Sequence, residues 1–244
     1  FKAYYMRFFM DSESTSPRPD WKQLVAAGTT LASSLEPKQL ERYFSDVRIA
    51  CLERLFIEAQ VRNAPLLSAS GAVPYQLGLL GNAGYPQEVL AQTRFPLDEL
   101  PAWTHSAQPT LRFPFVVVIP ATLVSISEQL ERLPTPGYTS LNSDGFSDVV
   151  APESKPYLLY DVSAGVQHRD QSIQEGLVAV QQAGAAPLTV VETLALVRAA
   201  PVLLNYTFLR AGGSRHDETN VPDIYLSGGK IKLKREPLDS GVDI

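Results

Sequence analysis

The sequence lacks the residues and motifs that carry the best-known catalytic and metal chemistry. One cysteine, Cys51, among 244 residues excludes a disulfide framework within the chain. Cys51 lies in an apolar stripe without a neighbouring charge, so we interpret it as a core residue and not as a nucleophile. The GxxxxGK(S/T) phosphate loop, the GxSxG nucleophile elbow and the HExxH zinc motif are all missing. The sequence therefore predicts neither a metal nor a bound cofactor.

Charge and long apolar runs are also scarce. No run of about 18 apolar residues occurs, which excludes a membrane-spanning helix of the usual length. The net charge of −5 and the pI of about 5.3 argue against a dedicated nucleic-acid binder. With 45% hydrophobic and 19% charged residues, the chain is nevertheless apolar enough to fold around a core.

Both methionines, Met6 and Met10, lie in the first ten residues. We interpret residues 1–19 as a disordered or non-native segment, with the native start at Met6 or Met10. The first ten residues contain no apolar stretch of the length that a secretory signal needs, so we expect a cytoplasmic location.

The chain divides into a helical part and a mixed part. Apolar residues at three- and four-residue steps predict helices over Trp21–Ala32 and Ser34–Asn63, within a helical region at 20–83. The glycines and prolines between Ala64 and Tyr85 predict a loop. An α+β domain with a mixed sheet is expected at 84–236, and a frayed tail at 237–244.

Strands and helices then follow in irregular order. The apolar, β-branched run Phe113–Pro120 predicts a central strand that is covered on both faces. Pro156–Val162 and Tyr206–Arg210 predict two further strands, and Gly228 and Gly229 predict the turn of a hairpin. Three capping boxes, each a Ser or Thr followed three residues later by Glu, predict helix starts at Ser125, Ser172 and Thr189.

Candidate site residues lie in two loops. Gly212 and Gly213 follow a predicted strand and, with Ser214 and Arg215, are candidates for binding an anion through backbone N–H groups and a guanidinium. A plain turn is the alternative for this segment, and we favour it because a Gly-Gly pair after a strand is more often a turn. His168 and His216 are candidate acid–base residues because histidine titrates near neutral pH. The neighbouring Arg169 and Asp170 complete the set of candidate binding and catalytic residues.

Lys230, Lys232 and Lys234 alternate with Ile231 and Leu233, so the three ammonium groups share one face of a predicted strand. This pattern indicates either a surface for anions or nucleic acid, or an edge strand that lysines protect against unwanted pairing. On the acidic balance of the chain we favour the edge strand.

The part of the chain from about 84 to 232 resembles an uncharacterised bacterial family, a domain of unknown function. The residues that carry the resemblance are Gly84–Pro86, Phe113–Ile119, Tyr157–Val162, Pro187–Thr189 with Glu192, Gly213–Arg215 and Val221–Pro222. The resemblance implies a cytosolic protein without an assigned activity. It directs attention to polar residues that include Asp161 and Asp217. One hypothesis from position pairs Asp161 with Arg215 across the sheet, and the alternative, which we favour, is a structural ion pair or a loop cap for Asp161.

Three functions compete on this sequence. A non-catalytic binding or protein-interaction module, with a protein partner or a second copy of the chain, is favoured by the lack of catalytic motifs. An enzyme that acts on a small anionic substrate through the Arg/His/Asp loops is the alternative. Nucleic-acid binding through Lys230–Lys234 is the third possibility and the least favoured.

Overall fold

The computed structural model describes residues 69–97, 112–139, 141, 145–151, 153–165, 168, 171–205 and 208–240. The helices predicted over Trp21–Ala32 and Ser34–Asn63, together with Cys51, lie outside the described residues. Within the described part, helices and mixed sheets confirm the α+β class. In chain order the elements are α1 (Ala69–Asn82), α2 (Gln87–Leu90), β1 (Arg112–Val118), α3 (Ile126–Glu131), β2 (Gly137–Thr139), β3 (Ser147–Asp148), β4 (Tyr157–Ser163), α4 (Ile173–Gln182), α5 (Val190–Ala199), a 3-10 helix (Pro201–Asn205), β5 (Leu209–Arg210), β6 (Ser214–Arg215), β7 (Asn220–Ser227) and β8 (Lys230–Pro237).

The apolar run forms β1 and is buried on both faces, as the sequence predicts. Because successive side chains of a strand point to opposite faces, Val116 and Val118 join one hydrophobic cluster with α5. Phe115 and Val117 join a second cluster with α1. The position is not central, however: among the described strands β1 pairs only with β4, in an antiparallel two-stranded sheet.

Side chains from two helices cover the other edge of β1. The Gln76 amide of α1 donates to the Phe115 carbonyl at 2.7 Å and accepts from the Val117 N–H at 2.8 Å. The Arg198 guanidinium of α5 donates to the Val117 carbonyl at 3.2 Å and to the Tyr85 hydroxyl at 2.7 Å. Arg198 is buried, which lowers its pKa. These contacts satisfy strand groups that an unpaired edge would leave without partners.

The prediction of a loop between Ala64 and Tyr85 is wrong for most of its described part. Residues Ala69–Asn82 form helix α1, although the helix contains Pro74 and three glycines. Ala72, Val73 and Leu80 of this helix are buried in the second cluster. Helix propensity is a weak preference that tertiary packing overrides, and packing against β1 supplies the compensation here.

The three capping boxes are confirmed. Ser125, Ser172 and Thr189 each accept a hydrogen bond from the N–H of the glutamate three residues later, and that glutamate accepts one from the backbone N–H of the cap. Helices α3, α4 and α5 begin at the following residue. Local chemistry alone therefore specifies these three helix starts.

A mixed four-stranded sheet has the order β2-β8-β7-β5, with β2 parallel to β8 and the other pairs antiparallel. The predicted hairpin is confirmed, and Gly228 and Gly229 form its turn at φ of 60° and 73°. One face of the sheet buries Ile224, Ile231 and Leu233 in the cluster that α5 also lines. The opposite face, which we call the outer face, carries Asp223, Tyr225, Lys232 and Lys234.

The chain remains bonded to the fold just beyond β8. Leu238, in the segment predicted as a frayed tail, donates its N–H to the Thr219 carbonyl at 2.8 Å. Its carbonyl accepts from the Gln174 N–H of α4 at 3.0 Å.

Candidate functional site

The backbone N–H groups of the glycine pair are already in use. Gly212 donates to the Arg210 carbonyl at 3.0 Å, and Gly213 donates to the Leu188 carbonyl at 2.8 Å. An anion nest needs N–H groups that point at a ligand and have no other acceptor. The segment is a tight turn between β5 and β6, which is the alternative that the sequence left open.

The same two glycines allow a close approach of chain segments. A Cβ at Gly213 would overlap the Pro187 carbonyl oxygen and lie 2.9 Å from backbone atoms of Leu188 and Thr189. A Cβ at Gly212 would overlap the Leu177 side chain of α4. The packing of β6 against the start of α5 therefore requires glycine at position 213, and this requirement does not depend on any ligand.

Ser214 is fully buried and holds three elements together. Its hydroxyl donates to the Asp148 carboxylate of β3 and accepts from the Val190 N–H of α5 at 2.9 Å. Burial raises the pKa of Asp148, while the bond from Ser214 opposes that shift. The hydroxyl has no exposed surface from which to contact a ligand, so its role here is structural.

A second carboxylate, at the start of α5, also accepts its hydrogen bonds from groups of the protein itself. Glu192 accepts from the Thr189 N–H at 2.7 Å and from the Tyr157 hydroxyl of β4 at 2.9 Å. Burial and the neighbouring Glu192 carboxylate raise the pKa of Tyr157, so this phenol stays protonated. Both acidic groups serve the helix terminus and its attachment to the strands.

The charged residues after the turn serve the turn itself. Arg215 donates to the Gly212 carbonyl at 2.6 Å and to the Ser214 carbonyl at 2.9 Å. Asp217 accepts from the Asn220 side chain and from the Thr219 N–H, and these bonds lower its pKa. His216 lies edge-on to the Phe146 ring at 5.6 Å between centroids.

The other loop candidates are only partly described. His168 Nδ1 lies 3.0 Å from Gln171 Oε1, and Arg169 and Asp170 lie outside the described residues. Whether His168, Asp170 and Arg215 converge on an anionic substrate therefore stays a prediction. Asp161 forms an ion pair with Arg112 on the neighbouring strand, so the favoured interpretation of a structural ion pair is confirmed and the hypothesis of a pairing with Arg215 is wrong.

Asp161 has a positive φ of 54°, which is rare for a residue with a side chain. It follows Tyr160, the partner of Phe115, and so lies opposite Pro114, which has no N–H to donate to the ladder. The strain lies where regular pairing is lost, and aspartate tolerates the left-handed region better than most residues.

Among the described residues, no group of three or more His, Cys, Asp or Glu side chains is placed to hold a metal ion. No helix in the described ranges is long and apolar enough to cross a membrane.

The outer face of the four-stranded sheet differs from these loops because its rings and ammonium groups reach the surface. Tyr138 of β2 is the register partner of Lys232 of β8, which is the partner of Tyr225 of β7. Phe208 directly precedes β5, and its ring centroid lies 5.6 Å from that of Tyr225. We call Tyr138, Lys232, Tyr225 and Phe208 the cross-strand row.

Lysines and rings alternate in this surface. Lys232 lies 5.7 Å from the ring centroid of Tyr138, and Lys234 lies 5.2 Å from that of Tyr225. Tyr138 and Phe208 are 47% and 42% exposed. The interpretation of β8 as an edge strand is wrong for Ile231–Leu233, where β8 pairs with β7 on one side and with β2 on the other, whereas Lys230 and Lys234 lie just outside the stretch that β2 covers. Protection of an edge therefore does not explain Lys232.

A buried carboxylate lies beside the row. Asp223 of β7 is 1% exposed, and its Oδ2 is 3.5 Å from Lys234 Nζ. Within the described residues its Oδ1 accepts no hydrogen bond, although Arg210 is its register partner on β5. Burial raises the pKa of Asp223 to about 6, against the opposing effects of Arg210 and Lys234.

Sequence reasoning identified the lysines of this surface and missed its rings. The two-residue turn at Gly228 and Gly229 fixes the register of the hairpin. The pairing of Tyr225 with Lys232 could therefore be predicted from the sequence. No local signal places Tyr138 or Phe208 beside them, because each comes from a separate short segment.

The fold and this surface define an α+β domain with a mixed sheet, one face of which is in the core while the other presents lysines and aromatic rings. The chain belongs to a family of unknown function, DUF5701, whose model matches residues 75–237. No curated protein and no solved structure matches the chain.

Proposed function

We propose that this protein is a non-catalytic binding module that holds an extended anionic partner on the outer face of its four-stranded sheet. The observation that carries the proposal is the lysine triplet of β8. Lys230 and Lys232 contact no carboxylate among the described residues, and Lys232 instead lies over the Tyr138 ring. Lys232 lies between two paired strands and has no edge to protect, and the ammonium groups of Lys230 and Lys232 are charges available for a ligand.

The charges of this face favour an anion. Lys230, Lys232, Lys234 and Arg210 oppose the carboxylates of Asp223 and Glu236, and Lys234 already pairs with Glu236 at 2.7 Å. The face is thus cationic on a chain of net charge −5. Such a local reversal of sign concentrates anionic ligands on one surface of an acidic protein.

The polar groups of the glycine turn argue against the alternative function, in which this turn would hold the anionic substrate of an enzyme. Ser214, Gly212, Gly213 and Arg215 all donate to groups of the protein itself. A bacterial origin and a cytoplasmic location remain expectations of this proposal, supported by the resemblance and by the low cysteine content.

Heparin is a suitable probe because it is a flexible polyanion without bases. Its binding is measured by fluorescence anisotropy over a range of salt concentrations, from about 50 mM NaCl upward. We expect the Lys230→Gln, Lys232→Gln double variant to weaken binding about tenfold or more, and the slope of log affinity against log salt to fall by about 1 to 2.

The matched control is Lys155→Gln, which removes one exposed lysine from the bend before β4, a strand that is not part of the four-stranded sheet. This control is expected to bind heparin nearly as the wild-type protein does. Heparin that does not bind at low salt, or that binds the double variant and the wild-type protein equally, would overturn the proposal.

A further inference from the structure

The partner class follows from the rings of the outer face, and the inference rests on the function proposed above. We infer that the anionic partner is a single strand of nucleic acid, whose phosphates meet the lysines of β8 and whose bases stack on Tyr138, Tyr225 and Phe208. The lysines alone would suit any polyanion. The rings distinguish a ligand that has flat, stackable groups.

The cross-strand row has the geometry of a stacking surface. Its three rings come from β2, β7 and the residue before β5, so they cross all four strands of the sheet. With neighbouring strands about 4.8 Å apart, the row extends over roughly 14 Å. Two or three unstacked bases fit an exposed sheet surface of this kind.

The outermost rings of the row are exposed although both are large and apolar. Tyr138 is 47% exposed and Phe208 is 42% exposed, and they lie at opposite ends of the row. Exposed aromatic rings on a cationic surface are the features that bind single strands without sequence preference. Base stacking and phosphate attraction then act on the same ligand, because Lys232 and Lys234 are each close to a ring.

Other anionic partners fit less well. An acidic peptide would pair with Lys230 and Lys232 without using the rings. A duplex keeps its bases stacked and paired, so it offers only its backbone charges to this face. We therefore expect the order of affinity to be single strand, then duplex and heparin.

The test uses the full chain and a fluorescein-labelled oligo(dT) of about 12 nucleotides, with the corresponding duplex and heparin as competitors. Tyr138→Leu and Phe208→Leu keep apolar bulk and remove the stacking face. Each is expected to weaken oligo(dT) binding about 5- to 100-fold without changing the salt slope. Tyr138→Phe keeps the ring and is expected to restore most of the affinity.

Tyr75→Leu is the matched control, because Tyr75 is a 50% exposed tyrosine on α1, away from this sheet. It should leave oligo(dT) binding unchanged. Thermal unfolding of every variant shows whether a loss of binding is a loss of fold.

The outcomes separate the two proposals. Lysine-dependent heparin binding together with unchanged oligo(dT) binding by Tyr138→Leu and Phe208→Leu overturns the nucleic-acid inference and leaves the binding module intact. Equal affinity for the duplex and the single strand also overturns the inference. Binding of neither heparin nor oligo(dT) overturns both.

Discussion

The glycine turn between β5 and β6 and the outer face of the four-stranded sheet use polar residues in opposite ways. In the turn, the hydroxyl of Ser214, the guanidinium of Arg215 and the N–H groups of both glycines already bond to groups of the protein itself. On the outer face, Lys232 and the ring of Tyr138 contact each other at the surface. A cluster of polar residues indicates a site only where the fold leaves those groups available.

This comparison makes the turn a stability element and the outer face a binding element. Substitutions in the turn should change the free energy of unfolding and leave ligand affinity unchanged. Lysine substitutions on the outer face should do the reverse.

Gly213→Ala is expected to have the largest effect on the free energy of unfolding. The new Cβ would overlap backbone atoms of Pro187 and Leu188, which cannot move aside as a flexible side chain can. We expect a loss of at least about 3 kcal/mol, measured by urea unfolding.

The control is Gly78→Ala in α1, where nothing lies within 4 Å of the position that a Cβ would take. Alanine is the better helix former, so this change should stabilise by about 0.5–1 kcal/mol. A loss below about 1 kcal/mol for Gly213→Ala would contradict a structural role for the turn.

Asp223→Asn tests the buried carboxylate of the outer face through pH. The folded pKa of about 6 is above the ordinary aspartate value, so the folded state binds the proton more tightly than the unfolded state does. The contribution of this group to stability is greatest below the unfolded pKa and is lost as pH rises through about 6. Two pKa units correspond to about 3 kcal/mol.

Asparagine resembles the protonated acid and has no charge to bury. Asp223→Asn is therefore expected to be more stable than the wild-type protein at pH 8 by up to about 3 kcal/mol, with little difference at pH 4. Urea unfolding at both pH values measures this, with the exposed Asp239→Asn as control. Destabilisation at pH 8 would show that ion pairs with Arg210 and Lys234 outweigh burial.

Ser214→Ala removes one hydroxyl that joins β6, β3 and α5. The buried Val190 N–H and the Asp148 carboxylate each lose a hydrogen-bond partner, so we expect a loss of about 2 kcal/mol. Heparin affinity should not change, and Ser240→Ala, at an exposed turn, should be close to neutral. Reduced heparin affinity in a folded Ser214→Ala protein would make the turn a binding site after all.

Lys232→Gln should have the smallest effect on stability. It removes a surface contact with the Tyr138 ring, worth at most about 0.5–1 kcal/mol. The same variant should weaken heparin binding several-fold. A stability loss above about 1 kcal/mol with unchanged heparin affinity would make the outer face structural, like the turn.

The elements that the sequence predicts well are those with local signals. Ser125, Ser172 and Thr189 begin helices because the cap and its glutamate are three residues apart, and Phe113–Pro120 reads as a buried strand because it has no polar face. By contrast, β2, β5 and β6 are two or three residues long and exist only through pairing with distant segments. Helix α1 contains Pro74 and three glycines, which in a sequence are typical of a loop. The helix is stabilised by its packing against β1, which the sequence does not show.

The residues of the candidate site also fall into two groups, those that a local pattern predicts and those that only the sheet register brings together. The alternation of Lys230, Lys232 and Lys234 is visible in the sequence, whereas their neighbours Tyr138 and Phe208 come from separate segments that sheet register brings together. For the glycine turn the sequence left an anion site as a candidate and favoured a plain turn, because a sequence shows only which groups are present. Only the fold shows which of them already have partners.

The most direct test of binding on the outer face is an amide ¹H–¹⁵N NMR titration of the full chain with oligo(dT). Binding there predicts shifts at Tyr138, Arg210, Asp223–Tyr225 and Lys232–Lys234, with little change at Gly212–Asp217. Shifts that instead concentrate at Gly212–Asp217, with the outer face unchanged, would contradict it.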